Sequence, residues 1–347
     1  MKVFSLSRLA GLCGVFLVAL ALVLPLSVVF GEQSLSLRAL IDAPDSTDAR
    51  LFVSLRLPHA LLAALVGAGL AASGATLQGV LRNPLADPFI LGVSGGAAVG
   101  ASLALALGLA TVDRVAPGLR GELARLSAPT AFAFAGAAAS MLFVLGVSRG
   151  HGGRAPYAML LTGVVFNAFA SAVITLLKVI SDPNRLSELL YWLGGTVGRE
   201  RPGTLVLLAL VQAAALGVMI ALSGRLNLLA LGDEDAASLG VDVARTRRRL
   251  LLATSASVAG AVALTGLIGF VGLIVPHVLR LAFGPDQRLL VPLSALGGAV
   301  FLLVSDLVAR MAFPLFNQEL PVGVVTALFG GPLFLVLLSR RGQRVMG

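Results

Sequence analysis

Leu250 to Leu279 reads LLLATSASVAGAVALTGLIGFVGLIVPHVL, thirty residues without an Asp, Glu, Lys or Arg. As one helix it would be about 45 Å long at 1.5 Å per residue, against a hydrocarbon core of about 30 Å. It must tilt steeply or break. Gly266, Gly269, Gly272 and Pro276 give it the means to break. Gly and Pro interrupt helices, and irregular backbone is tolerated at membrane depth where protein buries it.

Eight further runs lack charged residues: 9–30, 60–81, 89–112, 126–147, 155–177, 203–224, 289–305 and 322–339. Each approaches the roughly 20 residues that span a bilayer as a helix. Counting the long run once gives nine spans, and counting it as broken gives ten. Nine would put either Lys2 and Arg8 or Arg340, Arg341 and Arg344 outside, whereas ten puts both basic ends in the cytoplasm. The positive-inside rule prefers ten. Of the 26 Lys and Arg residues, fifteen then lie inside and eleven outside, with Arg225 and Arg245 to Arg249 marking the 225–249 loop as cytoplasmic. The expected fold is an all-α polytopic transmembrane bundle of about ten spans, a single domain over 1–347.

Composition agrees. Hydrophobic residues make up 57% and charged residues 12%, a balance that leaves a bilayer as the natural solvent and membrane lipid as a partner. The net charge of +9 belongs to loops that set orientation, so no nucleic acid is expected. Gly92, Gly96, Gly100, Ala104 and Gly108 recur every four residues, a ridge of small side chains along which another helix can pack. Lys2 and Arg8 precede an apolar run too long for a signal-peptide core and lacking a small-residue cleavage site, so the first span is read as uncleaved. Cys13 is the only cysteine, which excludes intrachain disulfides and thiolate metal sites.

The spans are also informative in what they lack. Ion-coupled transporters usually carry Asp, Glu or Lys inside the membrane. These runs carry none; their ionisable groups are Cys13, Tyr157 and His277, with His59 at the boundary of the second. His277 reads as a hydrogen-bonded structural histidine. There is no H-E-x-x-H, no G-x-S-x-G and no G-x-x-x-x-G-K-[ST] phosphate loop. No catalytic residue, metal site or cofactor is expected, and uphill transport must draw its energy from a partner. The competing reading is an ion-coupled secondary transporter, which requires the missing intramembrane acid.

Several segments carry a resemblance. They are Arg56-Leu57-Pro58-His59, the stretch Gly79 to Pro88 (GVLRNPLADP), Leu91 to Gly96 (LGVSGG), Gly232 to Val241 (GDEDAASLGV), Ile268 to His277 (IGFVGLIVPH), Gly284-Pro285-Asp286 and Glu319 to Gly323 (ELPVG). In order and spacing the set resembles the permease subunits of ATP-driven type II ABC importers for ferric siderophores, haem and vitamin B12. The resemblance implies ten helices per subunit, a homodimer with the substrate path along its axis, two cytoplasmic ATP-binding subunits, and a periplasmic or lipid-anchored substrate-binding protein. It implies a bacterial inner-membrane location, where the charge count above places both termini in the cytoplasm. It does not choose the substrate among these chelates.

Site residues follow from the same match. In the 225–249 loop, Gly232 precedes the acidic Asp233, Glu234 and Asp235, then Ala236, Ala237 and Gly240. This reads as a short helix with acidic residues in its first turn, where the helix dipole favours them, and glycine at its end. It is the expected ATPase contact; a bulky residue at Ala237 or Gly240 should abolish transport. Arg56, His59 and Arg310 are the expected docking residues for the binding protein. His59 departs from the family's second arginine and is mostly neutral at pH 7 in an ordinary environment, so docking should rest more on Arg56. Arg310 also has Asp306 four residues earlier, within reach of a local ion pair. The path is expected along 149–156, Asn167, Ser171, Thr175 and 182–195. Asn167, Ser171 and Thr175 share a helix face and either line the path or tie helices together.

Overall fold

A computed structural model of the protein describes residues 4–30, 46, 50–112, 126–148 and 155–345. Among these residues the regular elements are helical, apart from one isolated bridge between Thr111 and Ser127. In chain order they are α1 (Leu6–Val29), α2 (Leu57–Val80), α3 (Val93–Ala106), α4 (Ala128–Ser148), α5 (Ala155–Ile180), α6 (Pro183–Leu193), α7 (Pro202–Ala221), α8 (Ser223–Leu229), α9 (Asp233–Ser238), α10 (Val243–Thr265), α11 (Val271–Phe283), α12 (Gln287–Met311), α13 (Phe313–Phe316) and α14 (Val322–Val345). Setting aside the short α6, α8, α9 and α13, these follow the ten expected spans in order.

They are not ten equal crossings. Among the described residues six helices are long and apolar enough to cross a bilayer by themselves: Leu6–Val29, Phe52–Val80, Ala128–Ser148, Tyr157–Ile180, Pro202–Ala221 and Gln287–Phe316. α3 and α11, of 14 and 13 residues, fall short; each is about 20 Å long. The third run, 89–112, shortens because Asp87 caps a 3-10 turn over Pro88–Leu91, accepting from the Phe89 N–H at 2.8 Å, before Gly92 turns the chain at φ +82°. The second run lengthens instead, since a π-helical turn over Phe52–Arg56 leads directly into α2 and its early Pro58.

The thirty-residue run breaks at its glycines. α10 ends at Thr265, Gly266 follows at φ +70°, Phe270 sits at φ +68°, and α11 begins at Val271. A side chain at Gly266 would run into the Trp192 carbonyl. The segment after α6 lies against the end of α10: the Thr196 N–H donates to the Thr265 carbonyl at 2.7 Å, and the segment is itself held by the Gly323 N–H, which donates to the Gly195 carbonyl at 3.0 Å. Protein rather than lipid therefore meets the last carbonyl of α10, as membrane depth demands.

α2 forms the centre, buried along most of its length. It reaches its neighbours through glycine: Gly67 meets Gly298 on α12, and Gly74 meets the Gly272 carbonyl on α11, each leaving no room for a Cβ. Gly74→Ala is expected to cost about 1–3 kcal/mol by overpacking, read as a lowered thermal midpoint in detergent. The small-residue ridge packs likewise, with Gly96 and Gly100 of α3 against the Gly136 and Phe132 carbonyls of α4. Gly92 and Gly108, at the two ends of that ridge, instead adopt positive φ outside the helix.

Side-chain contacts gather the helix ends into two sets. At one end Arg8 donates to the Phe283 carbonyl at 3.0 Å and Arg280 to Gln78 Oε1 at 2.6 Å, while Arg288 lies over the Phe4 ring. Arg82 and Arg247 lie at the same end, beside α9. These residues all belong to the basic side expected from the sequence. At the other end lie the close of α1, the start of α2 and the close of α12. Between the ends, apolar side chains of α5 such as Leu161, Val165, Phe169 and Leu176 are exposed, as in a surface that meets lipid or another subunit.

Candidate functional site

At the basic end, the 225–249 loop is mostly helical. α8 is pinned to the start of α12, because Asn227 donates to Asp286 at 2.7 Å and accepts from the Gln287 N–H at 2.9 Å. Gly232 turns the chain at φ +147° into α9, whose first turn holds Asp233, Glu234 and Asp235. Gly240, at φ +83°, ends it: the Gly240 N–H donates to the Ala237 carbonyl and the Val241 N–H to that of Ala236. This is a Schellman-type end, which satisfies last-turn carbonyls and favours glycine. Ala236 is fully buried with Leu229 and Val241 in a small cluster of its own. Ala237 faces outward, as do Leu231 and Leu239, at 62% and 58% exposure.

Two arginines hold the start of α9. Arg247 Nη2 donates to both Asp233 oxygens at 2.9 and 3.1 Å, and Arg82 pairs with the same carboxylate. Arg82 also donates to the Leu229 carbonyl at 2.7 Å, from a backbone at φ +48°. Burial raises the Asp233 carboxyl, but the hydrogen bonds and charges of Arg247 and Arg82 outweigh it and hold the group below its usual range. With a folded value below the unfolded one, the stabilisation is complete above about 3.9 and is lost as pH falls through the lower folded value. A carbon NMR titration of Asp233 is expected to show a midpoint below about 3.9 and no change between about pH 5 and 8.

At the opposite end, the three expected docking residues converge on the close of α1. His59 Nε2 lies 2.9 Å from Asp306 Oδ1, and Arg310 Nε donates to Asp306 Oδ2 at 3.0 Å. Arg310 further donates to the Phe30 carbonyl at 3.1 Å and to the Ser27 carbonyl and hydroxyl at 2.8 and 2.7 Å. Arg56 reaches the same Phe30 carbonyl at 3.4 Å. Cations at a helix C-terminus are favoured by its dipole and satisfy its orphan carbonyls. Asp306 and Arg310 are 3% and 9% exposed, so the local pair is formed and Arg310 is committed to internal contacts. Arg56 is half-buried. Near it a groove of about 460 Å³ is lined by Val53, Ser54 and Pro58 with Arg199, Glu200 and Arg201.

Of the expected path, residues 149–154 lie outside those described. Asn167 donates to the Phe89 carbonyl at 2.7 Å, tying α5 to the turn before α3. Ser171 and Thr175 are exposed, and the Thr175 hydroxyl donates back to the Ser171 carbonyl at 2.8 Å. The shared face is thus divided between a helix tie and an open surface. In the stretch 182–195, Arg185 donates to the Ala106 carbonyl at 2.6 Å, so α6 closes the end of α3, and Gly195 reaches the α10 break.

The site thus consists of a short outward helix at the basic end and an opposite rim at the start of α2, with a broken span between them. The profile of the FecCD transport family fits residues 18–340. The chain belongs to the FecCD transport family. It is 43% identical over 293 residues to the cobalamin import system permease protein BtuC of Halobacterium salinarum, covering 84% of this chain and 74% of that one. It is 40% identical over 338 residues to the hemin transport system permease protein HmuU of Yersinia pestis, covering 96% of each. Among solved structures it aligns, with a TM-score of 0.82 and 32% identity, to an inward-facing conformation of a metal-chelate type ABC transporter, covering 96% of this chain and 99% of that one. As a FecCD family member the chain is a multi-pass membrane permease.

Sequence reading missed Arg82 and Arg247 as partners of this FecCD permease's Asp233. The acidic run with Arg247 fourteen residues on was a usable signal. The contact from Arg82, 151 residues away in sequence, had none.

Proposed function

We propose that the chain is the membrane-spanning subunit of an ATP-driven importer that carries an iron chelate, whether ferric siderophore or haem, or vitamin B12 across the bacterial inner membrane. It works as a homodimer with two cytoplasmic ATP-binding subunits, takes substrate from a periplasmic or lipid-anchored binding protein, and has both termini in the cytoplasm. The observation that carries this reading is α9: a short helix fixed at both ends, with Ala237, Leu231 and Leu239 turned outward at the basic end. Such an apolar patch on a firm support suits a partner protein. Relatives named for cobalamin and for hemin at nearly equal identity keep both substrate classes open.

The test is uptake into proteoliposomes by the chain assembled with an ATP-binding subunit. Uptake that needs ATP and survives collapse of the proton gradient supports the reading. Uptake that follows the gradient and ignores ATP overturns it in favour of a secondary transporter.

Arg56 is the proposed docking arm; Arg199, Glu200 and Arg201 line the groove that its chain neighbours Val53, Ser54 and Pro58 form. Arg suits a carboxylate partner through paired hydrogen bonds. Arg56→Ala is expected to weaken the binding protein about fivefold to tenfold at low salt and less at high salt, as for a rim charge. Titration at two salt concentrations checks it, and equal affinity at both would remove Arg56 from the dock.

A further inference from the structure

We propose that Arg82 and Arg247 are positioning residues that carry the push on α9 into α2 and α10, with Asp233 as the carboxylate through which both act. This rests on the reading of α9 as the contact for an ATP-binding partner.

α9 has six residues, too few to be rigid unaided. Its apolar packing is the small cluster of Leu229, Ala236 and Val241 with Leu228 and Val243 against it, so a force on its outer face would rock it unless its start were fixed. Asp233 fixes it. One nitrogen of Arg247 straddles both carboxylate oxygens, and Arg82 binds the carboxylate while also holding the Leu229 carbonyl just before α9. An exposed ion pair contributes little, but the Arg247 side chain is only 9% exposed, and a shared carboxylate makes a network.

Each arginine stands on a membrane helix that leads to the break. Arg247 lies in the second turn of α10, which runs to Thr265 and ends on Gly266. From Arg247 that is about 27 Å of continuous helix at 1.5 Å per residue. Arg82 lies just past α2, whose Gly74 presses on Gly272 immediately beyond the same break. A displacement of α9 therefore reaches the two sides of the break by stiff routes, at Thr265 through α10 and at Gly272 through α2, and the Thr265 carbonyl accepts from Thr196 in the segment after α6.

The test uses the full importer in proteoliposomes with its ATP-binding subunit, comparing Asp233→Asn, Arg82→Gln and Arg247→Gln, singly and in pairs. The readouts are retained ATP-binding subunit, ATP hydrolysis, and uptake per ATP hydrolysed. Arg82→Gln and Arg247→Gln are each expected to keep the partner and hydrolyse ATP while uptake per ATP falls about tenfold, and Asp233→Asn is expected to lower uptake per ATP at least as far. Asp233→Asn with Arg247→Gln is expected to be no worse than Asp233→Asn alone, because both remove one interaction. Asp233→Glu, which keeps the carboxylate, should retain most of the coupling. A merely structural role would lower protein level and thermal midpoint without changing uptake per ATP. Unchanged uptake per ATP, effects that multiply in the double variant, or loss of the ATP-binding subunit together with uptake would each overturn the proposal. A wild-type chain that retains no ATP-binding subunit fails the functional reading itself, and the proposal with it.

Discussion

Ala237→Trp is expected to abolish ATP-driven uptake while the protein remains at wild-type level in the membrane. Ala237 points outward from α9, whereas its neighbour Ala236 is fully buried. An indole at Ala237 therefore has room in the isolated subunit and none beneath a docked partner. Displacing a well-packed interface centre costs at least about 2 kcal/mol, roughly a thirtyfold loss of association, before any loss of force transmission. Gly240→Val should reach the same endpoint by another cause. A Cβ there meets nothing within 4 Å, but the backbone is at φ +83°, which a β-branched residue resists. Uptake assays with immunoblots of the membrane fraction test both. Full uptake by Ala237→Trp would remove α9 as the point of contact.

Asp306→Ala is expected to produce the largest loss of stability. Asp306 is 3% exposed and accepts from Arg310 while lying against His59, so it joins α12 to α2 and, through Arg310, to α1. Removing one partner of a buried ion pair costs about 3–5 kcal/mol because the other charge is left uncompensated. Arg310 would keep the Ser27 and Phe30 carbonyls but lose its counter-ion. Asp306→Asn, which can still accept a hydrogen bond, should cost less. Thermal unfolding in detergent distinguishes them; equal midpoints for wild type and Asp306→Ala would show that the carbonyls alone support Arg310.

Much of the architecture was legible because bilayer thickness converts a count of uncharged residues into a count of helices. The excess length of Leu250–Leu279 and the positions of its glycines located the break within a few residues. The short helix α9 was legible for a local reason as well, since acidic residues at a start and glycine at an end act within one or two turns. Arg56 was harder to read. Four residues before the uncharged run 60–81, it is the last residue of a π-helical turn continuous with α2, because a lack of charge marks the hydrocarbon limit and not the helix limit. Arg310 illustrates the converse, its i,i+4 partner being readable while its burial against Ser27 and Phe30 was not.

By itself, then, the sequence determined that this protein is a membrane bundle of about ten helical segments, that its long seventh run breaks, and that a capped helix stands in the basic 225–249 loop. These depend on spacing along the chain, and bilayer thickness and capping geometry read spacing directly. Only the tertiary structure decided that α3 and α11 fall short of a full crossing, that Arg310 is committed to Asp306 and the end of α1, and that Arg82 and Arg247 meet on Asp233. Those facts depend on which helix ends lie side by side. Glycine contacts such as Gly67 with Gly298 and Gly74 with Gly272 fix that arrangement, and residues so far apart in sequence carry no mark of their pairing.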